Sequence, residues 1–386
     1  MNTLFISSFI PKSNAPQAGV NFSYNFIKIL REELKSKVDL LCTINDGENE
    51  NEALEVSTIT DNQYLFKLSK KRKLFNVLKS PFIPSIASVR YDSRVLQKIR
   101  SLANTKKYDY VILDYTQNLN YYKCIQKLFK DCRIISLEQD VSFLGLDRKI
   151  KNTSGIKKMF YRFEYSRLKS YELTALKNID KVYTVNEKDK ELLKDIIGVE
   201  ALYPFINKWE MGQKKHEGFN LMFWGAMNRK ENEDAVMYFV KSIWEQVDKK
   251  NIKFFIIGAN PSDQIKKLES ENITVTGFVE DPAEYFQLMD LSIVPLRLGA
   301  GVKIKVLESM ANGIPVITTT IGAEGIYAKN ERDIIITDNP KDFAYKINNL
   351  KNDITQRETI KKNGMSFIND NYGFEKNKQI LKDYIL

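Results

Sequence analysis

The residues best suited to chemistry lie together in the stretch 291–316. A strand-like apolar run is followed by a turn that contains Gly299 and Gly301, and then by an amphipathic segment that begins with Lys303 and Lys305. Glycines allow a ligand to approach the backbone closely, and the unpaired N–H groups at the start of a helix attract anions. Because two lysines add positive charge at the same place, the sequence predicts a phosphate-binding site here.

The same turn bears a partial likeness to a dinucleotide-binding motif. Gly299 and Gly301 begin a Gly-x-Gly-x-x-Gly pattern, but its third glycine is replaced by Ile304. The turn also stands deep in the chain, whereas the dinucleotide motif normally follows the first strand of its domain. The sequence therefore does not favour NAD as the ligand.

Other catalytic chemistries lack the residues that they need. The single histidine, His216, stands in a polar stretch and is expected to be solvated, which argues against a Ser-His-Asp triad and against His-ligated zinc. Cys42, Cys124 and Cys132 are too few and too scattered for a disulfide framework or a Cys-x-x-Cys metal site, so we expect thiols packed in the core. No two aspartates stand two positions apart, so an Asp-x-Asp metal motif is absent.

The elements that position the turn follow one alternating pattern along the chain. A strand-like run at 4–9 begins the first half, and the pattern starts again with a strand-like run at 220–224 and a helix-like segment at 233–247. Strand and helix signals in alternation are typical of α/β layers on parallel sheets. The sequence thus predicts a doubly wound sheet in each half of the chain.

The chain divides into two predicted domains. Its 386 residues exceed what one core normally holds, roughly 250–300 residues. The segment 207–219 is polar and unpatterned, so we expect it to be the linker between an N-terminal domain, 1–206, and a C-terminal domain, 220–365. We expect the last residues, 366–386, to form a helix that packs back on the N-terminal domain.

Positive charge is concentrated in the N-terminal half. The net charge is +10, and two stretches, 66–107 and 148–169, are rich in Lys and Arg with interleaved aromatic residues. This composition fits a solvated charged face, an anionic membrane surface, or an anionic or lipid-linked substrate. No nucleic-acid-binding signature accompanies the charge, so nucleic acid is not an expected partner.

Targeting signals are absent from the printed sequence. The opening residues lack the basic segment and the long apolar run of a signal peptide. No stretch approaches the roughly 20 apolar residues of a membrane span. We therefore expect a cytoplasmic protein, with peripheral attachment to the inner membrane face if the basic stretches contact lipid.

Residues 291–326 resemble the donor-site signature of glycosyltransferase family 4, in the subgroup with a Gly-x-Gly-Val-Lys turn. The match comprises that turn, Lys-Val-Leu-Glu-Ser-Met-Ala, Gly-x-Pro-Val-Ile and the sequence Gly-Ala-Glu-Gly at 322–325. Weaker matches follow the same order elsewhere, at 5–9 with the Gly19 loop, at 181–187, at 222–228 and at 275–279. The resemblance implies a GT-B fold, in which two Rossmann-like doubly wound domains face each other across a cleft.

The resemblance also implies a donor site for a nucleotide-sugar. It places the nucleotide ribose on Glu308, the diphosphate and sugar on the backbone amides of the turn, and the base beside Phe278 and Val279. The implied reaction is retaining transfer of a hexose. The residues that the resemblance assigns to donor binding are Gly19, Gly225, Asn228, Arg229, Gly277, Phe278, Val279, Gly299, Gly301, Val302, Ile304 and Glu308.

This sequence departs from the family pattern at three places. Ala300 stands where the family has the first glutamate of a Glu-seven-Glu pattern, so the carboxylate expected near the transferred sugar is missing. Ala226 and Glu231 stand where the family has Arg and Lys, with Arg229, Lys230, Lys303 and Lys305 as nearby substitutes. Gln139 stands at the histidine position of the acceptor domain, and Asp140 follows it as a candidate polar partner.

The implied chemistry needs neither a cofactor nor a metal. In a front-face retaining transfer the leaving diphosphate takes the acceptor proton, so the protein positions the substrates and cancels the charge that develops on phosphate. The candidate catalytic residues are Gln139, Asp140, Lys303 and Lys305. The acceptor is expected to be a glycan or a lipid-linked molecule in the synthesis of a surface polysaccharide or glycolipid.

Two other functions remain open at this stage. A nucleotide-sugar-binding or scaffold subunit without activity would explain Ala300 and Gln139. A nucleotide-sugar 2-epimerase shares the fold, but such enzymes resemble one another in having histidine and several carboxylates in the active site. The position of His216 in a polar stretch argues against that alternative.

Overall fold

A computed structural model describes residues 1–13, 18–45, 53–80, 82–151, 153–212, 216–299 and 301–385. The chain forms two compact units. The first unit comprises Met1–Phe205 and Asn377–Leu386, and the second comprises Ile206–Lys376. Each unit is built around its own parallel sheet.

The first unit contains a seven-stranded sheet in the order β3-β2-β1-β4-β5-β6-β7, and all neighbouring strands run parallel. The central strands β4 and β5 are buried along their length apart from Arg133, as expected for a parallel sheet covered on both faces. The chain order reverses between β1 and β4, which is the topological switch point of a doubly wound fold. The strands are β1 (Asn2–Ser7), β2 (Lys37–Asn45), β3 (Asn62–Leu68), β4 (Tyr110–Asp114), β5 (Arg133–Glu138), β6 (Lys181–Thr184) and β7 (Val199–Ala201).

Helices connect these strands, and several begin at a side chain that caps the helix. The Ser69 hydroxyl accepts a hydrogen bond from the Arg72 N–H at the start of α3, and Asp92 does the same for α5. A π-helical turn, Ile29–Glu33, extends α1, and a 3₁₀ helix, Thr116–Tyr121, follows β4. The α-helices are α1 (Ala18–Lys28), α2 (Leu54–Ser57), α3 (Lys70–Lys79), α4 (Ser85–Ser88), α5 (Ser93–Thr105), α6 (Tyr122–Leu128), α7 (Ser142–Lys151), α8 (Gly155–Leu176) and α9 (Glu187–Leu192).

The second unit repeats the topology with six parallel strands in the order β10-β9-β8-β11-β12-β13. Its switch point lies between β8 and β11. The strands are β8 (Phe219–Trp224), β9 (Ile252–Ile257), β10 (Ile273–Gly277), β11 (Leu291–Val294), β12 (Val316–Thr318) and β13 (Ile335–Ile336). The helices are α10 (Lys230–Tyr238), α11 (Asp263–Lys266), α12 (Ala283–Phe286), α13 (Ile304–Ala311), α14 (Pro340–Asn352) and α15 (Ile354–Asn371), with Phe239–Ile243 a π-helical and Trp244–Gln246 a 3₁₀ extension of α10.

A last helix, α16 (Phe374–Ile385), returns the chain to the first unit. The Asn377 side chain accepts a hydrogen bond from the Tyr203 N–H at 2.8 Å and donates one to the Tyr203 carbonyl at 2.7 Å. Further along, Leu381 is buried, and the Tyr110 hydroxyl donates to the Ile385 carbonyl at 3.1 Å. Asn377, Leu381 and Ile385 of α16 are therefore buried in the first unit.

The segment expected as a linker packs in the second unit. The Trp209 ring lies 4.4 Å from Phe286 and 6.1 Å from Trp224, measured between ring centroids. The expectation of a solvated His216 is wrong, because the side chain is half-buried, with Nε2 3.5 Å from an Asp290 oxygen and Nδ1 buried. The polar composition of this segment did not predict that the rings of Trp209 and His216 pack against other residues. None of the helices among the described residues has the length and apolar character needed to cross a membrane.

Candidate functional site

The predicted phosphate turn connects β11 to α13 in the second unit. Gly299 and Gly301 have φ angles of 116° and 75°, which side chains rarely allow, so glycine is required at both positions. Helix α13 begins at Ile304, and Lys303 immediately precedes it. The strand, the glycine turn and the helix therefore follow one another as the sequence predicted, and the start of α13 lies at the carboxyl edge of the sheet. Ala300, the position of the missing glutamate, lies outside the described residues.

A carboxylate already occupies the predicted anion site. Glu324 Oε2 accepts a hydrogen bond from the Gly301 N–H at 3.1 Å and lies 3.6 Å from the ammonium nitrogen of Lys303. Lys303 is buried and also donates to the Gly301 carbonyl. Three groups that favour an anion, a glycine N–H, a lysine and a helix start, thus surround the Glu324 carboxylate. Val302 lies in the same turn, and a Cβ at Gly325 would come within 2.9 Å of its side chain.

Lys305 lies behind the turn in a largely apolar setting. Its ammonium donates to Asn232 Oδ1 and lies 4.3 Å above the Phe223 ring. A Cβ at Gly225 would stand 2.8 Å from this ammonium, and the φ angle there is 150°, so only glycine fits. Burial lowers the pKa of Lys305 to about 7, with Glu231 acting in the opposite direction. An anion that binds beside Lys305 would therefore stabilise its charged form.

Glu308 lies one turn further along α13 and is buried. One of its oxygens accepts from the Trp224 indole N–H at 2.9 Å, and the other accepts from the Asn207 amide at 2.7 Å. Burial raises the pKa of Glu308, and the two hydrogen bonds act against that rise. A carboxylate has about four acceptor positions, so Glu308 keeps capacity for hydroxyl donors of a ligand.

Aromatic rings surround the Glu308 partners. Trp224, Trp209 and Phe286 form a set of edge-to-face contacts, and Val279 packs against the apolar cluster to which they belong. Phe278 is 77% exposed, and Gly277 before it has a φ of 69°. The Phe278 ring is therefore exposed to solvent, whereas the Val279 side chain is partly buried against this cluster.

The remaining donor candidates of the second unit lie at the start of α10. Asn228 and Arg229 are exposed, and the Arg229 guanidinium lies 3.9 Å from Glu231. Arg229 is close enough to Lys305 to contribute to the lowering of its pKa. The structure thus brings Gly225, Asn232, Arg229 and Lys305 into one neighbourhood.

Three predicted residues, Gly19, Gln139 and Asp140, belong to the first unit. The Gln139 amide is buried and donates to Asp114 Oδ1 at 2.9 Å, whereas Asp140 is exposed. Gly19 lies in the first turn of α1, where a Cβ would come within 2.6 Å of the Tyr115 hydroxyl. Tyr115 itself has a positive φ of 69° at the end of β4, a conformation that is uncommon for a side-chain-bearing residue.

Asp114 is the centre of this polar group, and sequence reasoning missed it. Its Oδ2 accepts from the Ser7 hydroxyl at 2.7 Å and from the Ser23 hydroxyl at 2.8 Å. Burial raises the pKa of Asp114 to about 7, although the three hydrogen bonds from Gln139, Ser7 and Ser23 lower it in part. A signal was present, because Ser7 and Asp114 end the two strands that flank the switch point.

Two more buried acids follow on the same side of the first unit. Glu138 accepts from the hydroxyls of Thr116 and Ser136, and burial raises its pKa to about 7. Glu172 of α8 accepts from the Ser142 N–H at 3.1 Å, and burial together with Glu138 raises its pKa well above the usual value. Both oxygens of Glu138 and one oxygen of Glu172 accept hydrogen bonds from the protein's own donors, whereas Glu172 Oε2 is buried without a hydrogen-bond partner. Both acids lie inside the unit, which indicates a structural role.

Comparison with known proteins identifies a domain and a fold. Residues 218–353 match the family model described as "Glycosyl transferases group 1". An uncharacterized 44.6 kDa protein in the cps region of Klebsiella pneumoniae is 25% identical over 366 residues, which cover 90% of this chain and 92% of that protein. The capsular polysaccharide biosynthesis glycosyltransferase CapM of Staphylococcus aureus is 28% identical over 131 residues, 32% of this chain and 34% of that protein.

Solved structures share the architecture at low sequence identity. Anabaena HepE in complex with UDP has a TM-score of 0.66 at 11% identity, with 100% of this chain and 99% of that chain covered. Sucrose-phosphate synthase from Thermosynechococcus elongatus has a TM-score of 0.66 at 14% identity, covering 100% and 98%. TarM of Staphylococcus aureus, in a complex that contains UDP, has a TM-score of 0.63 at 11% identity, covering 98% and 99%.

These likenesses establish a two-domain Rossmann-like GT-B fold, and the expected fold class is confirmed. The residues that match the family model, 218–353, lie in the second unit. Together the two findings support a GT-B glycosyltransferase, as the sequence predicted.

Proposed function

We propose that the protein is a retaining, metal-independent hexosyltransferase that uses a nucleotide-sugar donor. The observation that carries the proposal is the carboxyl edge of the second sheet. A glycine turn, two lysines and a buried glutamate follow one another there between Gly299 and Glu308, the fifth residue of α13. Amides and ammonium groups match a diphosphate, and a carboxylate matches the hydroxyl groups of a ribose.

Each part of the donor has a proposed partner. The diphosphate and sugar lie on the amides of Gly301, Val302 and Ile304, and the ribose hydroxyls donate to Glu308. The base stacks near Phe278 and Val279, where an exposed ring is available. Lys303 and Lys305 neutralise the charge that grows on the leaving diphosphate.

The donor competes with an internal anion for this site. Glu324 holds the Gly301 N–H and lies beside Lys303. A diphosphate with two or more negative charges offers these groups a stronger partner than one carboxylate. We propose that donor binding displaces the Glu324 carboxylate from the turn.

The proposed acceptor is inferred from the names of two relatives and from an exposed side chain of the first unit. One relative is named for capsular polysaccharide biosynthesis and another for its position in a cps region. We propose a glycan or lipid-linked acceptor in surface polysaccharide synthesis, at the cytoplasmic face of the membrane. Asp140, which is exposed beside the buried Gln139, is the side chain of the first unit proposed to contact it.

Nucleotide binding is the decisive test. Thermal unfolding is followed with UDP, GDP, ADP, CMP and dTDP, with NAD as the control ligand. A ligand at a hundredfold excess over its dissociation constant stabilises the protein by about 2.7 kcal/mol. We expect one nucleoside diphosphate to raise the melting temperature and NAD to have no effect. A response to NAD alone would contradict the proposal.

A variant links the response to the proposed site. Glu308→Ala removes the ribose acceptor and should weaken binding of the responding nucleotide by about 10- to 100-fold. Glu280→Ala, an exposed acid of the same unit, is the matched control and should bind normally. Hydrolysis of the corresponding nucleotide-sugar then separates an enzyme from an inactive nucleotide-sugar-binding subunit, which binds but does not turn over.

A further inference from the structure

The first half of α8 is amphipathic, but its apolar face is not covered. Ile156, Met159, Phe160 and Phe163 stand at i, i+3, i+4 and i+7, which places them on one face of the helix. Their exposed fractions range from 54% to 86%. The buried residues of α8 begin only at Glu164. Two helical turns therefore present an apolar stripe to solvent.

Helix α3 and Phe82, three residues beyond its end, repeat this feature. None of the residues of α3 is buried, and Leu74, Phe75 and Leu78 are exposed by 59% to 71%. Phe82 is 94% exposed. Isolated exposed apolar residues are ordinary, but a run of large ones marks a contact surface.

Hydrogen bonds join the segment that follows Phe82 to α8. The Ser85 N–H donates to Glu164 Oε2 at 2.8 Å, and the Arg167 guanidinium donates to the Ile83 carbonyl at 2.7 Å. Phe82 immediately precedes one end of this connection, and Phe163 immediately precedes the other. We call the combined region, residues 70–79, Phe82 and 155–163, the basic apolar surface.

The charged side chains of the basic apolar surface are all positive. It contains no Asp or Glu. In the described part of the chain, Lys71, Lys157, Lys158 and Arg162 form no ion pair with a carboxylate. Its basic residues are Lys70, Lys71, Arg72, Lys73, Lys79, Lys157, Lys158 and Arg162.

Helix α5 belongs to the basic stretch 66–107 of the sequence, but it is not part of the basic apolar surface. Val95, Ile99 and Leu102 bury the apolar face of α5 in the core. Arg94 pairs with Asp92, and the Lys98 ammonium lies 3.8 Å above the Tyr64 ring. Helix α5 is thus an ordinary amphipathic helix with a charged outer face, unlike α3 and the first half of α8.

We propose that the basic apolar surface docks the first unit on a bilayer that contains anionic phospholipids. Large apolar side chains enter the acyl boundary, while the lysines and arginines beside them meet phosphate headgroups. A nucleic acid would match the cations but not the exposed apolar stripe, whereas a bilayer interface matches both. The docking itself needs no transferase activity; only its purpose, access to a lipid-linked acceptor, rests on the proposed function.

Vesicle co-sedimentation tests the proposal without donor or acceptor. Vesicles are made from phosphatidylcholine with or without phosphatidylglycerol, and the bound fraction is measured at low and high salt. We expect binding to the anionic vesicles at low salt, with little binding to phosphatidylcholine alone. Equal binding to both vesicle types, or to neither, would overturn the proposal.

Charge variants locate the contact. Lys157→Gln, Lys158→Gln and Arg162→Gln together should weaken the partition onto anionic vesicles on the order of 100-fold, because each cation contributes about fivefold. The control triple, Lys127→Gln, Lys130→Gln and Lys177→Gln, removes the same charge from exposed positions of the same unit and should change binding little. Equal losses in the two triples would mean unspecific attraction and would overturn the assignment.

Apolar variants separate a membrane from a protein partner. Phe82→Ser with Phe160→Ser should reduce vesicle binding by about tenfold or more at an unchanged melting temperature, since both rings are exposed. Ile197→Ser, an equally exposed apolar residue outside the surface at 94%, is the control. Sedimentation velocity without lipid completes the test: if the double variant dissociates a dimer and leaves vesicle binding intact, the surface joins two copies of the chain instead.

Discussion

The two sheets share one topology, but a carboxylate, Asp114, is buried at the switch point of the first sheet, whereas a half-buried ammonium group, Lys305, lies at that of the second. In the first unit, β1 and β4 end at Ser7 and Asp114, and the carboxylate is closed off by hydroxyl and amide donors. In the second unit, the equivalent strands β8 and β11 lead to Gly225 and to the glycine turn, and the ammonium group of Lys305, a residue of α13, lies beside Gly225. In the first unit, the Asp114 carboxylate already has hydrogen-bond donors from the protein, and we call this edge closed. In the second unit, Lys305 and the glycine turn remain suited to an added anion, and we call this edge open. A common topology thus fixes where a site lies, and the side chains decide whether it is closed or open.

The largest effect should come from opening the closed edge. Asp114→Ala leaves the buried donors of Ser7, Ser23 and Gln139 without their acceptor, so the free energy of unfolding should fall by about 3 kcal/mol or more. Urea unfolding measures the loss. Asp140→Ala, at the exposed neighbouring position, should change stability by no more than about 0.5 kcal/mol. If both variants unfold alike, the first edge is not held by this network.

Neutralising the open edge should affect catalysis more than stability. Lys305→Met removes the cation behind the turn and should slow transfer by about 10²- to 10³-fold. Lys241→Met, which removes an exposed lysine of the same unit, is the matched control.

Because burial lowers the pKa of Lys305 to about 7, an arriving diphosphate should raise this pKa, and the wild type should take up a proton on binding between about pH 7 and 8. Calorimetry in buffers of different ionisation enthalpy detects this uptake, and its persistence in Lys305→Met would exclude Lys305 as its source.

Opposite pH slopes of stability would sharpen the comparison. In the first unit, the pKa of Asp114 and of Glu138 is raised to about 7, so the folded unit keeps protons that the unfolded chain releases above about pH 4. Stability should therefore fall as the pH rises from about 4 to 7. Burial lowers the pKa of Lys305 from about 10.4 to about 7, so between these values the unfolded second unit holds a proton that the folded unit lacks. The free energy of unfolding should therefore rise from about pH 7 to 10.

The size of each slope is at most about 1.4 kcal/mol per pH unit for one group. Hydrogen exchange of peptides from β4 and β5, compared with peptides from β8 and β11, reports the two units separately. Asp114→Asn should flatten the first slope, and Lys305→Met should flatten the second. Slopes of the same sign in the wild type over both windows would contradict the opposite-charge description.

The smallest effect is expected at Glu324. Glu324→Gln keeps an acceptor for the Gly301 N–H but removes the competing negative charge beside Lys303. Affinity for the responding nucleoside diphosphate should increase by up to about tenfold. Glu284→Gln serves as a control for general charge on an exposed acid of the same unit. Weaker binding by Glu324→Gln would instead make Glu324 a direct contact of the donor.

Local sequence predicted the open edge far better than the closed one. Gly299, Gly301, Lys303 and Lys305 lie within one short segment, so strand, turn and helix signals place them together without any knowledge of the rest of the chain. The start of α13 at Ile304 follows directly from that pattern. The doubly wound topology of both units was predicted for the same reason, because alternating elements are read from local periodicity.

The closed edge depends on contacts between distant parts of the chain. Ser7, Asp114 and Gln139 come from three strand ends, and their hydrogen bonds join residues 107 and 25 positions apart. The Glu308 partner Asn207 stands 101 positions away, in a segment that looked like a polar linker. No local pattern encodes such pairings, because they follow from which strand ends become neighbours in the sheet. The uncovered apolar stripe of α8 was hidden for the same reason, since helical spacing does not say whether a face is buried.

The return of α16 to the first unit has a consequence for synthesis. A ribosome makes the whole of Ile206–Lys376 before it adds the residues that pair Asn377 with Tyr203. At translation rates of about 5–20 residues per second, the first unit waits roughly 10 to 30 seconds for its final helix while the second unit folds. The domain begun first is therefore completed last, and a nascent chain interrupted in this interval exposes the groove for Leu381 and Ile385 to chaperones and proteases.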